Sequence, residues 1–209
     1  AYSTLGISCY LRGLLKDVEE YSLRAADLGE SINFVHSNVG AHFNLGETFF
    51  EIGEYQRSKV HYAKAVSILE RNRILPSWMN LNKIGVAKAK VMNNERDVDL
   101  VTLYGYETEN KVRLFDGRMS RYTGEILLNK DDQHMNEAEE WIKKAIESDK
   151  RNGMTWYLGR DFALYAELFK RKGDCAKARE ILGKAIEILK ECGADGWVSK
   201  YEKELALIQ

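Results

Sequence analysis

The sequence predicts an all-α fold: a right-handed superhelical solenoid of about five antiparallel helical hairpins, followed by a C-terminal capping helix. Proline occurs only once in 209 residues, and few segments alternate apolar and polar residues. Both features are typical of an almost wholly helical chain, because proline interrupts helices and alternation marks strands. Small residues also recur every 40 positions along the chain, and a fixed period of this kind is typical of repeat architectures.

Columns of similar residues carry the 40-residue period. The first column is small throughout and consists of Ala25, Ala65, Gly105, Ala145 and Ala185. Seven positions earlier lie small or β-branched residues, namely Val18, Ser58, Val98, Ala138 and Ala178. Seven residues are close to two helical turns, so both columns share one face of the second helix of each hairpin. Twelve positions before the first column lie Gly13, Gly53, Asn93, Gln133 and Gly173, of which four of the five are turn or helix-stop residues.

A further column of glycine or alanine lies about nineteen positions before the first, at Gly6, Gly46, Gly85, Gly124 and Ala166. Glycine inside a helix costs about 1 kcal/mol relative to alanine, so we expect a neighbouring helix to approach closely at these positions. The turn glycines fit the left-handed residue that ends a helix. Tyr62, Ile142 and Leu182 supply bulk between the alanines, so each unit is predicted to be a hairpin with a small-against-small contact.

The period places the hairpins at approximately residues 1–34, 35–74, 75–114, 115–154 and 155–195, with the cap at 196–209, in one domain spanning 1–209. Pro76 fits the first turn of a helix, where its missing N–H costs nothing. Ala1 has the phase of Ala41, inside a first helix. We therefore expect the chain to be a fragment of a longer protein, with further sequence before Ala1.

Two stretches resemble the tetratricopeptide repeat. They read Leu45-Gly46-x-x-Phe49-x-x-x-Gly53-x-Tyr55-x-x-Ser58-x-x-x-Tyr62-x-x-Ala65 and Ala166-x-x-Phe169-x-x-x-Gly173-x-x-x-x-Ala178-x-x-x-Leu182-x-x-Ala185. A third, Ala138-x-x-x-Ile142-x-x-Ala145, carries the second half of the pattern. The unit at 81–110 departs most, because it lacks the turn glycine and has Val98 and Gly105 in place of the alanines.

The period of 40 exceeds the usual tetratricopeptide length of about 34. The chain therefore resembles the longer variety found in the maltose-regulon activator, in signal-transduction ATPases and in regions attached to nucleotide cyclases. The segment from Trp156 to Asp174, together with Gly193–Trp197, carries this resemblance most clearly. The resemblance implies a tetratricopeptide-like fold over the whole chain and, less specifically, binding of proteins or peptides.

Composition and charge exclude several classes of protein. The 31 lysine and arginine residues balance 32 aspartate and glutamate residues, whereas a nucleic-acid binder normally shows a basic excess. Apolar runs are short and no leader pattern opens the sequence, so we expect neither a membrane segment nor a signal peptide. Cys9, Cys175 and Cys192 fit neither a disulfide framework nor a metal knuckle. We expect them to be reduced thiols in a cytoplasmic protein.

Catalytic patterns do not emerge from the sequence. The four histidines include no i, i+4 pair or Glu-x-x-His ligand pattern, and no phosphate-binding loop or nucleophile elbow is present. Glu137, Glu139 and Glu140 lie where a second helix is expected to begin, and carboxylates favour the positive end of the helix dipole there. We therefore predict that the protein is not an enzyme and needs no metal or cofactor.

The predicted binding surface is the concave groove that the first helices of a helical solenoid line. Its candidate residues follow from the repeat phase: Phe43, Glu47, Phe50, Asn80, Lys83, Lys90, Arg118, Arg121, Glu125, Arg160 and Glu167. Two interpretations of the basic part stay open. Arg121 and Glu125 form an i, i+4 pair on a solvated face, or the arginines form a groove that recognises anions or carboxylates. Phe43 and Glu47 occupy places where co-chaperone domains of this type carry a Lys/Asn set, so clamping of a C-terminal carboxylate is not expected.

These observations predict a scaffold that binds a peptide, a partner domain or a second copy of itself, without nucleic acid or membrane as partner. One alternative is a ligand- or peptide-sensing regulatory domain coupled to an upstream ATPase, cyclase or DNA-binding effector. A helical enzyme is the other, and no residue supports it.

Overall fold

The predicted all-α class is confirmed. The computed structural model describes residues 1–208, which hold eleven α-helices and no β-strand. The first six helices are α1 (Tyr2–Arg12), α2 (Leu15–Ser31), α3 (Val35–Glu51), α4 (Tyr55–Asn72), α5 (Pro76–Met92) and α6 (Leu100–Thr108). The others are α7 (Asp116–Lys130), α8 (Met135–Arg151), α9 (Thr155–Arg171), α10 (Cys175–Glu191) and α11 (Asp195–Leu207). Short 3-10 helices at Arg113–Phe115 and Asp132–His134 precede α7 and α8.

The helices form two compact units, Ala1–Lys111 with α1 to α6 and Val112–Gln209 with α7 to α11. Within each unit every helix packs against the next one along the chain. The first helices also contact one another, α1 with α3 and α3 with α5 in the first unit, and α7 with α9 in the second. This neighbour-to-neighbour packing is that of a helical-repeat solenoid. The extent of one repeat domain over 1–209 and its unit boundaries stay predictions.

The turn glycines end their helices as predicted. Gly13, Gly53 and Gly173 have φ angles of 78°, 81° and 79°, in the left-handed region where a side chain is strained. The third hairpin differs, since its left-handed residue is Asn94 at φ 63°, one position after the predicted Asn93. Asparagine tolerates this region better than most residues do, so the turn forms without glycine.

Close contacts at the mid-helix glycines are confirmed in the first unit. The ring of Tyr62 lies between Gly46 of α3 and Gly85 of α5, and a methyl group on either glycine would come within 2.8 Å of Tyr62 Cδ1. A methyl group on Gly6 would come within 2.7 Å of Ser22 Oγ. In the second unit, the same addition at Gly124 would come within 2.8 Å of Ile142. Glycine at these positions lets adjacent helices approach.

The column of small residues on the second helices is interrupted at α6. Ala25, Ala65, Ala145 and Ala185 are at most 1% exposed. A methyl group on Gly105, in contrast, would have no neighbouring atom within 4 Å. The expected packing at Gly105 is therefore wrong. The reason is that α6 begins only at Leu100 and has nine residues, so Val98 lies in the preceding loop.

Other local predictions agree with the structure. Pro76 is the first residue of α5, and α11 packs against α10 at the C-terminal end of the second unit. Trp197 of α11 is 1% exposed, and its ring lies edge-to-face with that of Trp156, with 5.9 Å between the centroids. The aromatic contact joins α9 to α11 across the end of α10.

Gly183 provides a test of the packing argument. It lies inside α10, and a methyl group there would meet nothing within 4 Å. Gly183→Ala is expected to raise the free energy of unfolding by about 0.5–1 kcal/mol, because alanine restricts the unfolded chain and favours the helix. Urea denaturation followed by circular dichroism measures the change.

The matched control is Gly46→Ala, which forces a methyl group against Tyr62 and is expected to lower the same free energy by about 1–3 kcal/mol. Equal effects of the two substitutions would contradict the assignment of Gly46 as a close-contact position.

Candidate functional site

A groove of about 580 Å³ lies between α4, α5 and α6 in the first unit. The helices α4 and α5 each line it with four residues spaced at i, i+3, i+4 and i+7, which is one face of a helix. Asp99, the N-cap residue of α6, and three residues of α6 continue the same spacing. These residues are Ala63, Val66, Ser67 and Glu70; Lys83, Val86, Ala87 and Lys90; and Asp99, Thr102, Leu103 and Tyr106. Half of these twelve side chains are apolar and half are polar or charged, so the groove combines an apolar surface with several charges.

The groove exists because the third hairpin is incomplete. The second helices α2 and α4 have 17 and 18 residues, whereas α6 has nine. Residues 93–99 connect α5 to α6, and Leu103 is the one buried residue of α6. The first part of a full-length second helix is therefore replaced by this connection, and the corresponding faces of α4 and α5 stay uncovered.

Charged groups stand at both ends of the groove. At one end the Lys83 ammonium is 2.9 Å from Glu70 Oε1 and 5.7 Å from the centre of the Tyr106 ring. At the other end the Asp99 carboxylate caps α6 by accepting from the backbone N–H groups of Val101 and Thr102. These hydrogen bonds, with that from the Thr102 hydroxyl first, lower the pKa of Asp99.

Lys90 and Asp97 stand at the Asp99 end as well. Among the described residues, neither side chain has an ion-pair partner within 4.0 Å or a hydrogen bond. Lys90 acts at longer range on the Glu95 carboxylate, which pairs with Lys59 at 2.6 Å. The groove therefore offers one cation and one anion that are not held in a close ion pair.

A second groove of about 330 Å³ adjoins the first and shares Glu70 with it. Leu69, Ile74, Pro76 and Met79 are among its lining residues. Together the two grooves follow α4 from Ala63 to its end.

Several of the predicted binding residues in the first unit are buried. Phe43, Glu47, Phe50 and Asn80 are only 4–7% exposed. Lys83 and Lys90 are half-buried and line the large groove. Asn80 donates from its amide to Glu109 Oε2 at 3.2 Å. Six binding residues were predicted in the first unit. Four of them are buried, and Lys83 and Lys90 contribute to an open surface.

Glu47 is the centre of a buried polar network. Its carboxylate accepts from the Tyr10 hydroxyl at 3.0 Å and from the Tyr62 hydroxyl, and lies 3.8 Å from the Lys88 ammonium. Lys88 also stands 3.7 Å above the centre of the Phe50 ring. These contacts join α1, α3, α4 and α5, so Glu47 stabilises the first unit from inside.

A second buried network crosses the second unit at Arg121. Arg121 is 5% exposed, and its Nη1 lies 3.3 Å from Oδ1 of the fully buried Asp161. The interpretation of Arg121 as part of a solvated face is therefore wrong. The carboxylate that Arg121 contacts belongs to the protein itself, and recognition of an external anion by the arginines stays a prediction.

Asp149 of α8 lies beside Asp161. Burial raises the pKa of Asp161 well above its usual value, with Arg121 opposing and Asp149 adding to the rise. Burial also raises the pKa of Asp149, against the opposing charges of Arg121 and Arg118. A methyl group on Gly117 would collide with the Asp149 carboxylate, so glycine there makes room for this buried acid.

The remaining candidates of the second unit are distributed differently. Arg118 is 8% exposed and stacks 4.1 Å above the centre of the Tyr157 ring. Arg160 is half-buried, 3.8 Å above the Trp197 ring. Glu125 and Glu167 are half-buried, and Glu167 pairs with Arg171 at 3.0 Å. Arg160, Glu125 and Glu167 are thus the predicted residues of this unit that retain access to solvent.

Two histidines that the sequence leaves unpaired meet in the α3–α4 hairpin. His42 Nδ1 and His61 Nδ1 are 3.0 Å apart, so one ring nitrogen donates to the other. Burial, with the nearby Lys64 ammonium, lowers the pKa of His42 to about 4. Burial also lowers the pKa of His61 to about 4, with His42, Lys64 and Arg57 as further causes.

Because the pKa values of His42 and His61 are lowered, we expect the stability of the protein to depend on pH. The folded protein binds fewer protons than the unfolded chain between pH 6.5 and 4, so stability falls as the pH is lowered through that window. Between pH 6.5 and 4 we expect the native protein to lose about 1–2 kcal/mol more free energy of unfolding than the double variant His42→Gln/His61→Gln. The expected difference is modest because the rings are partly exposed to solvent. Urea denaturation at both pH values measures it.

His36→Gln is the control, because His36 is exposed and lies outside the pair. If the native protein and the double variant lost the same stability between the two pH values, the histidine pair would have no such effect.

The described residues hold no group of three or more histidine, cysteine, aspartate or glutamate side chains placed to bind a metal ion. Cys9, Cys175 and Cys192 are free thiols. None of the helices within residues 1–208 is long and apolar enough to cross a membrane.

The α3–α4 hairpin matches a known family. Residues 39–70 match the tetratricopeptide repeat. This segment contains the Gly46–Tyr62 contact, the left-handed Gly53 and the buried Ala65. The hairpin is therefore a tetratricopeptide-type repeat. A search of curated proteins finds no match to the chain.

Sequence reasoning missed the internal pairs, although the repeat contains a signal for them. Arg121 and Asp161 are 40 residues apart, which is one period. His42 and His61 are 19 residues apart, the same offset that relates Gly46 to Ala65 across a hairpin. Charged or polar residues related by these offsets face each other across adjacent helices. The signal for the groove at α6 was the poor match of the unit at 81–110 to the tetratricopeptide pattern.

Proposed function

We propose that this protein is a non-catalytic interaction scaffold, the tetratricopeptide repeat domain of a larger signalling or regulatory protein, which binds a peptide or a partner domain. Tetratricopeptide repeats are generally protein–protein interaction modules, and the α3–α4 hairpin is of that type. The observation that supports binding most directly is the open groove of about 580 Å³ between α4, α5 and α6. Its size is typical of binding sites, and its lining combines apolar side chains with charged ones that can orient a ligand.

The proposed binding surface is narrower than the first-helix face predicted from the repeat phase. In the first unit it includes Lys83 and Lys90. In the second unit, considered by itself, Glu125, Arg160 and Glu167 are proposed as contact residues, and all five side chains are half-buried. The six buried candidates hold neighbouring helices together and are assigned to the support of that surface. In the first unit, the surface extends onto the second helices α4 and α6.

An unbiased peptide display library, selected on the full chain, tests this function. Enriched peptides are expected to bind saturably by fluorescence anisotropy, and Lys90→Glu is expected to weaken binding at least fivefold or so, because a groove charge is reversed. Lys64→Glu, on an exposed part of α4 outside the groove, is the matched control. Failure of every library peptide to bind would count against the scaffold.

A ligand- or peptide-sensing domain, coupled to an upstream ATPase, cyclase or DNA-binding effector, is the second candidate. The groove volume of about 580 Å³ favours it, since small-molecule sites are typically about 300–1,000 Å³. The resemblance to the long-repeat variety points the same way. Thermal-shift screening of sugars, nucleotides and peptides separates the two, because a sensor responds to a small molecule in the absence of any peptide.

The three free thiols favour a cytoplasmic location.

A further inference from the structure

We infer that the groove between α4, α5 and α6 binds an amphipathic helix of a partner protein, which packs where the third hairpin lacks a full second helix. The inference rests on the proposed function and specifies the partner. The binding face predicted from the first helices meets this site at Lys83 and Lys90 of α5, whereas the walls that α4 and α6 supply belong to second helices.

The shape of the groove favours a helix over an extended segment. Each of its three walls is a helix that presents one i, i+3, i+4, i+7 stripe to the same volume, as the helices of a small bundle do around a common neighbour. The uncovered length is also that of a helix. The residues of the α4 segment that line the two grooves run from Ala63 to Arg73, the residue just after α4. The part of α4 from Ala63 to its last residue spans about 14 Å, which an added helix of about ten residues would match.

Small residues on the walls allow a close approach. Ala63 on α4 and Ala87 on α5 face the groove from opposite sides, with Val66 and Val86 beside them. Helices approach most closely where such residues meet. We therefore assign the partner helix an uncharged apolar face of small and medium side chains.

Charge defines one end of the partner helix. Glu70 and Lys83 neutralise each other at one end of the groove, and Asp99 is engaged by the N-terminus of α6. Among the described residues, Lys90 and Asp97 have no ion-pair partner within 4.0 Å, and Lys90 acts only at longer range on the Glu95 carboxylate. A complementary helix therefore carries one acidic and one basic residue at the end that meets Lys90 and Asp97, and no charge along its apolar face.

Selection from a helix-biased display library tests the inference. The library consists of 14-residue peptides with alanine-rich, helix-favouring backbones and random residues at four positions spaced i, i+3, i+4 and i+7. It is selected on the full chain, and enriched peptides are measured by fluorescence anisotropy. We expect saturable binding, an increase in peptide helicity by circular dichroism, and loss of binding when a central residue becomes proline.

Two tryptophan variants identify the site. Ala63→Trp fills the groove from an exposed position and is expected to weaken binding at least roughly tenfold. Lys64→Trp adds the same bulk on the neighbouring exposed position, outside the groove lining, and is expected to change binding less than about twofold. Thermal denaturation of both variants verifies that they fold. The double variant Lys90→Glu/Asp97→Lys is expected to prefer peptides with the opposite charges at their end.

The inference is overturned if Ala63→Trp and Lys64→Trp bind enriched peptides alike, if bound peptides gain no helicity, or if the helix-biased library yields no binder. When the unbiased library still yields peptides that depend on other residues, the scaffold function stands and the helix-binding groove does not.

Discussion

Arg121→Met is expected to lower the free energy of unfolding by about 3–5 kcal/mol at pH 7. Arg121 is the cation closest to the fully buried Asp161, at 3.3 Å, and Asp149 lies beside that acid. Without the guanidinium, two carboxyl groups share a site that excludes water, and at least one of them must hold its proton to fold. Chemical denaturation followed by circular dichroism measures the loss.

The pH dependence identifies the cause. A carboxyl group whose pKa is raised by folding destabilises the protein as the pH rises from its unfolded value through its folded one. Burial already raises the pKa of Asp161, and removal of Arg121 is expected to raise it further. The variant should therefore lose more stability at pH 7 than at pH 4.5. Equal losses at the two values would indicate a packing defect instead.

The exposed Arg24–Glu20 pair supplies a matched control. Its side chains are more than half exposed and 2.8 Å apart, so Arg24→Met is expected to cost no more than about 0.5 kcal/mol. The burial of Arg121 also affects how peptide-binding experiments with its variants are interpreted. A loss of peptide binding in an Arg121 variant reports the fold of the second unit, whereas Lys90 tests a groove residue.

Tyr62→Ala is expected to lower the free energy of unfolding by about 3–5 kcal/mol. The Tyr62 side chain is fully buried between Gly46 and Gly85, and its hydroxyl donates to Glu47. Truncation leaves a cavity between three helices, and glycine residues have no side chains that can move to fill it. Urea denaturation measures the change, and hydrogen exchange is expected to show the loss of protection in the first unit.

Tyr62→Phe separates packing from hydrogen bonding. The ring still fills the space between the glycines, while Glu47 loses one donor in a buried network, so the expected cost is about 1–3 kcal/mol. If Tyr62→Phe were as destabilising as Tyr62→Ala, the contacts of the ring with Gly46 and Gly85 would not be the main contribution.

Much of the fold was predictable because the same pattern of small and bulky residues recurs in several hairpins of the sequence. In an isolated helix, a glycine such as Gly46 or Gly124 would only destabilise the helix relative to alanine. Because such glycines recur opposite a bulky residue on the adjacent helix, they indicate a close contact between helices. The left-handed turns at Gly53 and Gly173 depend on local backbone preference. These features require only the residue and its neighbours in one hairpin, and the sequence contains both.

The binding surface was less predictable, because exposure depends on every helix that packs nearby. Glu47 and Arg121 have the phase of groove residues, yet contacts from adjacent helices bury them. Lys83 and Lys90 have a similar phase, and the short α6 leaves them accessible.

The amino-acid sequence by itself determined the helical class, the left-handed turns and the positions where helices meet closely, since these follow from residue type and a repeated spacing. The tertiary structure alone decided which charged residues are buried and where a groove remains open. Burial sets the strength of the Arg121–Asp161 pair and the pKa of His42 and His61. The groove results from a helix that is too short to cover its neighbours.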